Sequence, residues 1–253
     1  MRYTYKHIGI LAISLIVASC SFSHKQANNN HDKDVNPNIK LVVLDPGHFH
    51  ASLLQKNPLT SVNDTIRVYA PEGSEVKQYL NDINNYNQRA ENPTSWKEEI
   101  YIGDDYLSKM LADHQGDVVM LAGNNRKKTS YILESIKAGY NVLSDKPLAI
   151  NKKDFGLLVQ AYQLAQERNL LLYDLMTERY DILNIIEKAL LNNPDLFGQL
   201  LKGSLNEPSV FMESVHHFFK NVSGKPVIRP VWYYDTEQQG EGIADVTTHL
   251  IDL

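Results

Sequence analysis

The stretch "GDVVMLAGNNRKKTSYILESIKAGYNVLSDKPLAI", residues 116–150, predicts a strand, a helix and a second strand in close succession. Residues 117–123 and 141–144 are short apolar runs rich in β-branched side chains, which is typical of buried strands. Between them lies an apolar helical face that ends at Gly139, a residue suited to the turn after a helix. Connections this short between strand and helix favour parallel strands.

Neighbouring segments extend the same pattern in both directions. Apolar runs at residues 39–44, 65–70 and 170–175 predict three more strands, and helices are predicted at 104–114 and 153–168. Strands that alternate with helices indicate a parallel sheet with helices on both faces. The predicted fold class is therefore α/β, with a Rossmann-like, doubly wound parallel sheet.

Two parts of the chain depart from this pattern. Residues 74–100 contain many Asn and Glu side chains and are predicted to be irregular. The character of the chain changes again after Met176, so residues 39–176 are assigned to the first domain and residues 177–253 to the start of a second. Within the second, residues 198–207 are predicted to form a strand.

Composition excludes some classes of partner. The chain has 253 residues, a net charge of −5 and 22% charged residues, which is ordinary for a globular protein. Nucleic-acid binding is not expected, because no excess of positive charge is available to contact phosphates. A small-molecule ligand fits this composition better.

The first twenty residues have the features of an exported lipoprotein. A short apolar run follows Arg2 and Lys6 and ends at Cys20, within a sequence that resembles a bacterial lipobox. Residues 1–20 are therefore predicted to be a signal peptide, Cys20 a lipidated membrane anchor and residues 21–38 a tether. The expected location is the periplasm or the surface of a Gram-negative-type bacterium. The alternative is a signal peptide that is cut elsewhere.

In a doubly wound sheet, the residues that follow the strands line the ligand crevice. Gly47 follows the first strand and suits either a phosphate-binding turn or a plain turn. His48 and His50 suggest a metal pair, but they lack a carboxylate partner in the sequence nearby, so no metal is expected. Glu72 follows the second strand and is either a ribose ligand or an exposed turn residue.

Lys146 and Pro147 follow the strand at residues 141–144, and the proline restricts the lysine backbone so that its side chain points into the crevice. In the crevice, beside another positively charged group, the neutral form of such a lysine would be favoured, and proton transfer requires that form. Asp245 and His249 lie four residues apart, which would place them side by side on one helix face. By spacing alone, they are either an ordinary helix pair or a catalytic pair.

Residues 117–181 and the end of the chain, "GEGIADVTTHLIDL", resemble the glucose-fructose oxidoreductase, inositol dehydrogenase and MocA (Gfo/Idh/MocA) family. The family has an "EKP" motif after a strand, here Asp145-Lys146-Pro147, and an Asp and a His separated by three residues, here Asp245 and His249. The resemblance implies that Lys146, Asp245 and His249 are catalytic. It implies an α+β substrate domain after the first domain, whose open-faced sheet would be incomplete in this chain, so a C-terminally truncated member is expected.

A tightly bound NAD or NADP is the cofactor that the resemblance implies. The residues assigned to cofactor binding are Gly47, His48, Glu72, Ala122, Asn124, Asp145, Lys146 and Pro147. The glycine-rich loop of the family is reduced here to Gly47.

The predicted function is an NAD(P)-dependent oxidoreductase that acts on a hydroxyl group of a sugar, polyol or glycoside, with a homo-oligomer as a possible assembly. One alternative is an NAD-dependent, redox-neutral glycosidase or lyase that returns the hydride within each cycle. The other alternative is a carbohydrate-binding lipoprotein without catalytic activity.

Overall fold

A computed structural model describes residues 39–213, 219–222 and 224–252. The predictions for residues 1–38, including lipidation of Cys20, fall outside the described residues. Within the described ranges, no helix has the length and apolar character needed to cross a membrane.

Six parallel strands form the central sheet: β1 Leu41–Leu44, β2 Thr65–Ala70, β3 Lys97–Ile102, β4 Val118–Leu121, β5 Asn141–Asp145 and β6 Leu172–Leu175. Their order in the sheet is β3-β2-β1-β4-β5-β6. The strand order reverses between β1 and β4, where the register aligns Leu44 of β1 with Leu121 of β4. Both strands therefore end at the same edge, which is where ligands bind in such sheets. The doubly wound fold is confirmed.

Helices cover both faces of the sheet, because side chains of each strand point alternately to opposite faces. The helices of this domain are α1 His50–Leu53, α2 Ser74–Gln88, α3 Tyr106–Asp113, α4 Asn125–Lys137 and α5 Lys152–Glu167. In β1, Val42 and Leu44 pack in the core beneath α3, α4 and α5, while Leu41 and Val43 pack in the core beneath α2.

The prediction that residues 74–100 are irregular is wrong, since α2 and β3 both lie there. Helix α2 buries Val76, Tyr79, Ile83 and Tyr86, a helical spacing that the intervening Asn and Glu residues obscure in the sequence. Strand β3, "KEEIYI", is the exposed edge of the sheet, so charged side chains replace the apolar run typical of a buried strand.

The predicted strand at residues 198–207 is also wrong, because no strand forms there and Leu200 and Leu201 are exposed. A two-stranded hairpin, β7 Asn221–Val222 and β8 Lys225–Pro226, is the sheet of this region in the described part of the chain. The remaining elements are α6 Ile182–Leu191, α7 Pro194–Phe197, a 3₁₀ turn Val231–Tyr234, α8 Thr236–Gln239, α9 Gly242–Asp245 and α10 Thr247–Asp252.

Candidate active site

A buried ion pair joins the two regions that carry the catalytic predictions. Lys146, directly after β5, donates from Nζ to Asp245 Oδ1 at 2.7 Å and to the Asp245 carbonyl oxygen at 2.6 Å. Both side chains are only 7% exposed. Tyr233 forms a further hydrogen bond to Asp245. The structure thus brings together Lys146 and Asp245, as the sequence motifs suggested.

His249 lies close to this pair, although not on one continuous helix with Asp245. Helix α9 ends at Asp245, and α10 begins after Val246, so the prediction of a single helix is wrong. The buried Nδ1 of His249 has no hydrogen-bond partner among the described residues. Burial, and then the positive charge of Lys146, lower the pKa of His249 below 6.5. The imidazole is therefore neutral at neutral pH and can accept a proton.

Arg179 anchors the helix that carries His249, a role the sequence did not predict. Its guanidinium donates to Asp252 of α10 at 2.5 to 3.0 Å and to Asp174 of β6 at 2.9 Å. Tyr173 Oη accepts another hydrogen bond from Arg179 and lies 2.7 Å from Tyr180 Oη. This network holds α10 against the end of the parallel sheet.

Asp145, the last residue of β5, is the carboxylate that the sequence did not show beside the two histidines. His50 Nδ1 lies 3.0 Å from both carboxylate oxygens of Asp145, and His48 Nδ1 lies 3.4 Å from one of them. Burial disfavours the charged form of Asp145, but His50, His48 and Lys128 outweigh it and hold the carboxyl pKa well below its usual range. Asp145 is therefore an ionised acceptor.

His48, His50 and Asp145 also have the composition of a metal site, with one ligand atom from each lying within 4.8 Å of the others. The surrounding charges oppose a cation, however. Arg229 Nη1 lies 2.9 Å from His48 Nε2, and a guanidinium can only donate hydrogen bonds. The buried ammonium of Lys128 also acts on the pKa of Asp145. The three groups contact one another as a hydrogen-bonded cluster.

Lys128 connects the loops after β4 and β5 and was missed at the sequence level. Its Nζ donates to Asn125 Oδ1 at 2.6 Å and to the carbonyl oxygens of Asp145 at 3.0 Å and Lys146 at 3.4 Å. Asn125 in turn donates to the carbonyl oxygen of Gln239 at 2.8 Å. Lys128 lies one helical turn before the buried Ile132, and that spacing would have placed it on the core face of α4.

The loop after β1 was predicted to bind the cofactor phosphates. Binding there would require backbone N–H groups that are not already hydrogen-bonded within the protein. The N–H groups of Gly47 and His48 both donate to the carbonyl oxygen of Ala122, at 3.1 and 2.9 Å. A Cβ atom on Gly47 would lie 3.5 Å from both Trp232 and Gly123, so side chains and backbone already surround this glycine. Helix α1 has only four residues and offers little helix dipole. These amides do not fit a pyrophosphate in this arrangement.

The other residues assigned to cofactor binding lie in different surroundings. Asn124 caps α4 by accepting from the amide of Arg126, and its side-chain amide donates to Gln238 at 2.9 Å. Pro147 follows a cis peptide bond after Lys146. Glu72 is 79% exposed and lies 3.5 Å from Lys77, so it sits at the surface beside the end of β2.

A cavity of about 1010 Å³ lies on another side of the loop, between α1, α2 and the β7–β8 hairpin. Phe49, Asp82, Arg89 and Ile228 are among its lining residues, and Lys146 is not. The convergent polar groups at the ends of β1, β4 and β5 are therefore the better indication of a chemical site.

Residues 186–253 match a protein family described as "Putative oxidoreductase C terminal domain". No curated protein matches the chain. The match covers the region that contains Asp245 and His249, so it agrees with the resemblance at the level of an oxidoreductase domain.

Solved structures resemble the chain over most of its length. A putative oxidoreductase from Parabacteroides merdae ATCC 43184 is 53% identical, with a TM-score of 0.81, over 85% of this chain and 49% of that one. This chain thus spans about half the length of that protein.

Two further structures share the fold at much lower identity. A putative oxidoreductase from Thermotoga maritima is 16% identical, with a TM-score of 0.56, over 84% of this chain and 56% of that chain. Biliverdin reductase from Synechocystis sp. PCC 6803, in complex with biliverdin and NADP+, is 14% identical, with a TM-score of 0.54, over 86% of this chain and 58% of that chain. In its fold and in residues 186–253, this chain is similar to proteins described as oxidoreductases.

Proposed function

We propose that this chain is part of an oxidoreductase in which Lys146, Asp245 and His249 act on a hydroxyl group of a sugar, polyol or glycoside. The observation that carries the proposal is the buried Lys146–Asp245 pair beside His249, whose Nδ1 has no partner among the described residues. The similarity to proteins described as oxidoreductases supports the reaction class.

In this proposal His249 Nδ1 accepts the proton of the substrate hydroxyl group. A neutral imidazole is the form that this role requires, and burial together with Lys146 lowers the pKa of His249 in that direction. The ammonium group of Lys146 stabilises negative charge that develops on the substrate oxygen. Asp245 orients Lys146 through the 2.7 Å contact.

A nicotinamide cofactor belongs to the proposal through the family resemblance alone. The amides of Gly47 and His48 are already used by Ala122. This observation favours a second candidate function, a carbohydrate-binding protein that has the fold but does not hold the cofactor. Such a protein would still place Lys146 and Asp245 where they could bind sugar hydroxyl groups.

The test combines cofactor detection with sugar oxidation. Native mass spectrometry would detect bound NAD or NADP, and the absorbance of reduced nicotinamide would be followed with a set of sugars, polyols and glycosides. We expect oxidation that His249→Asn slows by a factor of about 10² or more and that the exposed control His114→Asn leaves intact.

Other outcomes overturn the proposal in distinct ways. Cleavage of a glycoside without accumulation of reduced cofactor would indicate a redox-neutral cycle. Sugar binding with neither bound cofactor nor turnover would indicate the binding function.

A further inference from the structure

Two cationic side chains from the β7–β8 region lie over the loop after β1. Lys220 Nζ is 5.1 Å from the centre of the Phe49 ring, and Arg229 Cζ is 5.2 Å from it. The two residues flank the hairpin, and the amide of Val227 donates to the carbonyl oxygen of Lys220 at 2.9 Å. Both cations therefore lie within about 5 Å of the centre of the Phe49 ring, next to the hairpin.

Neither cation is neutralised by a nearby carboxylate. In the ranges that the structure describes, no Asp or Glu oxygen lies within 4.0 Å of Lys220 or Arg229. Arg229 Nη1 contacts Nε2 of His48, and Arg229 Nε has no hydrogen-bond partner in the same ranges. Burial disfavours a protonated His48, so the imidazole binds one guanidinium N–H group without neutralising its charge, and the guanidinium otherwise packs 4.4 Å from the centre of the Tyr233 ring.

The two charges repel one another. Burial first, and then Arg229 and Lys146, lower the pKa of Lys220, while Glu178 and Asp245 act more weakly in the opposite direction. Holding like charges close together with no carboxylate in direct contact is unfavourable, and an anion bound to both would reduce that cost. Arg offers a planar pair of donors and Lys a mobile ammonium, a combination suited to oxygen anions.

We propose that Lys220 and Arg229 form an oxyanion site beside Phe49, for a carboxylate, sulfate or phosphate group of a ligand in the crevice. The donors of this site are side chains that flank the β7–β8 hairpin. The backbone amides of Gly47 and His48 are not available to it, because both donate to the carbonyl oxygen of Ala122. Two sources can supply the anion, an acidic sugar substrate and the phosphates of a nucleotide. The site does not depend on the acid–base chemistry of His249.

Calorimetric binding to the protein tests the site without any need for activity. The probes are glucuronate, glucose, inorganic phosphate and NAD+, and the variants are Lys220→Gln and Arg229→Gln. Lys225→Gln is the matched control, because Lys225 is exposed on the same hairpin. We expect each test variant to weaken at least one anionic probe about tenfold or more, with glucose affinity unchanged.

The choice of probes distinguishes an acidic sugar from a nucleotide as the source of the anion. A loss confined to glucuronate identifies an acidic substrate, and a loss confined to NAD+ identifies nucleotide phosphates; either result supports the site. Thermal unfolding checks that the variants fold, and Arg229→Lys, which retains the charge but not the planar pair of donors, should weaken the anionic probe less than Arg229→Gln does. Equal affinities for Lys225→Gln and the two test variants, or an equal loss for glucose and glucuronate, would overturn the proposal.

Discussion

Lys146 Nζ and Asp245 Oδ1 are 2.7 Å apart and buried, although the two residues are 99 positions apart in the sequence. Removing one member of a buried ion pair leaves the other charge without compensation, whereas replacing both with apolar side chains can be nearly neutral. The contribution of this pair to stability can therefore be separated from its contribution to activity.

The variants Lys146→Met and Asp245→Leu should each lower the free energy of unfolding by about 3 kcal/mol. The combined variant should recover most of that loss, because no unpaired charge remains, but it should stay inactive. Urea unfolding measures the stability of the variants, and the rate of substrate oxidation measures their activity. An active double variant would show that the pair is structural, and stable single variants would contradict the buried ion pair.

His249 should titrate below pH 6.5, since burial and Lys146 both favour its neutral form. A pKa lowered in the folded state means that protonation switches off the base only when the pH falls through that lower value. The acid limb of kcat/KM should therefore lie below pH 6.5 in the active protein.

Histidine resonances followed by NMR check this pKa directly, with His249→Gln assigning the signal. In Lys146→Met the pKa of His249 should rise, because the second-largest cause of its lowering is removed. His249→Gln should also reduce kcat by a factor of about 10² to 10⁴. A His249 signal that titrates above pH 6.5, or that does not respond to Lys146→Met, would contradict this electrostatic coupling.

The sequence predicts the parallel sheet well because buried parallel strands are continuous apolar runs, as "LVVL" and "VVML" show. Strand β3 escapes detection for the opposite reason. It pairs through its backbone along β2, at the edge of the sheet, so its charged side chains need no apolar pattern.

The candidate site was only partly predictable. Lys146 could be placed at a strand end from local sequence, and Asp245 could be paired with it through the family resemblance. The contact of Asp145 with His50 joins residues 95 positions apart, and no local pattern records it. Arg229 was missed for the same reason, since its role depends on where the hairpin packs.

Lys128 should make stability depend on pH in the alkaline range. Burial lowers its pKa from 10.5 to about 8 in the folded protein. Below pH 8 the lysine is protonated in both folded and unfolded chains, so the cost of burying the ammonium is fully present. Between pH 8 and pH 10.5 the unfolded chain binds more protons than the folded one, so this residue's contribution to stability increases with pH.

The gain should reach up to about 3 kcal/mol across that window, at 1.36 kcal/mol for each unit of the pKa difference. Urea unfolding of the protein and of Lys128→Met, compared below pH 8 and near pH 10.5, isolates this contribution. The exposed control Lys153→Met should show no such pH-dependent difference. A constant difference between the protein and Lys128→Met would show that the buried amine does not titrate there.

Substitution of Gly123 should destabilise the loops at the crevice more than substitution of Gly47 does. A Cβ atom on Gly123 would overlap the carbonyl oxygen of Asp45, in a loop that Asp45 already holds at a φ of 46°. Backbone cannot move aside as a flexible side chain can, so Gly123→Ala should cost about 2 kcal/mol or more. A Cβ atom on Gly47 would make ordinary contacts at 3.5 Å, so Gly47→Ala should cost less than about 1 kcal/mol.

The same pair of variants tests the phosphate loop. If NAD+ bound its pyrophosphate on the amides of Gly47 and His48, Gly47→Ala would weaken NAD+ binding strongly while leaving the fold stable. Because Ala122 occupies those amides, we expect Gly47→Ala to leave both the thermal midpoint and NAD+ affinity nearly unchanged. Thermal unfolding measures the stability of the two variants, and calorimetry measures their affinity for NAD+. Selective loss of NAD+ binding in Gly47→Ala would mean that the loop opens to receive the nucleotide.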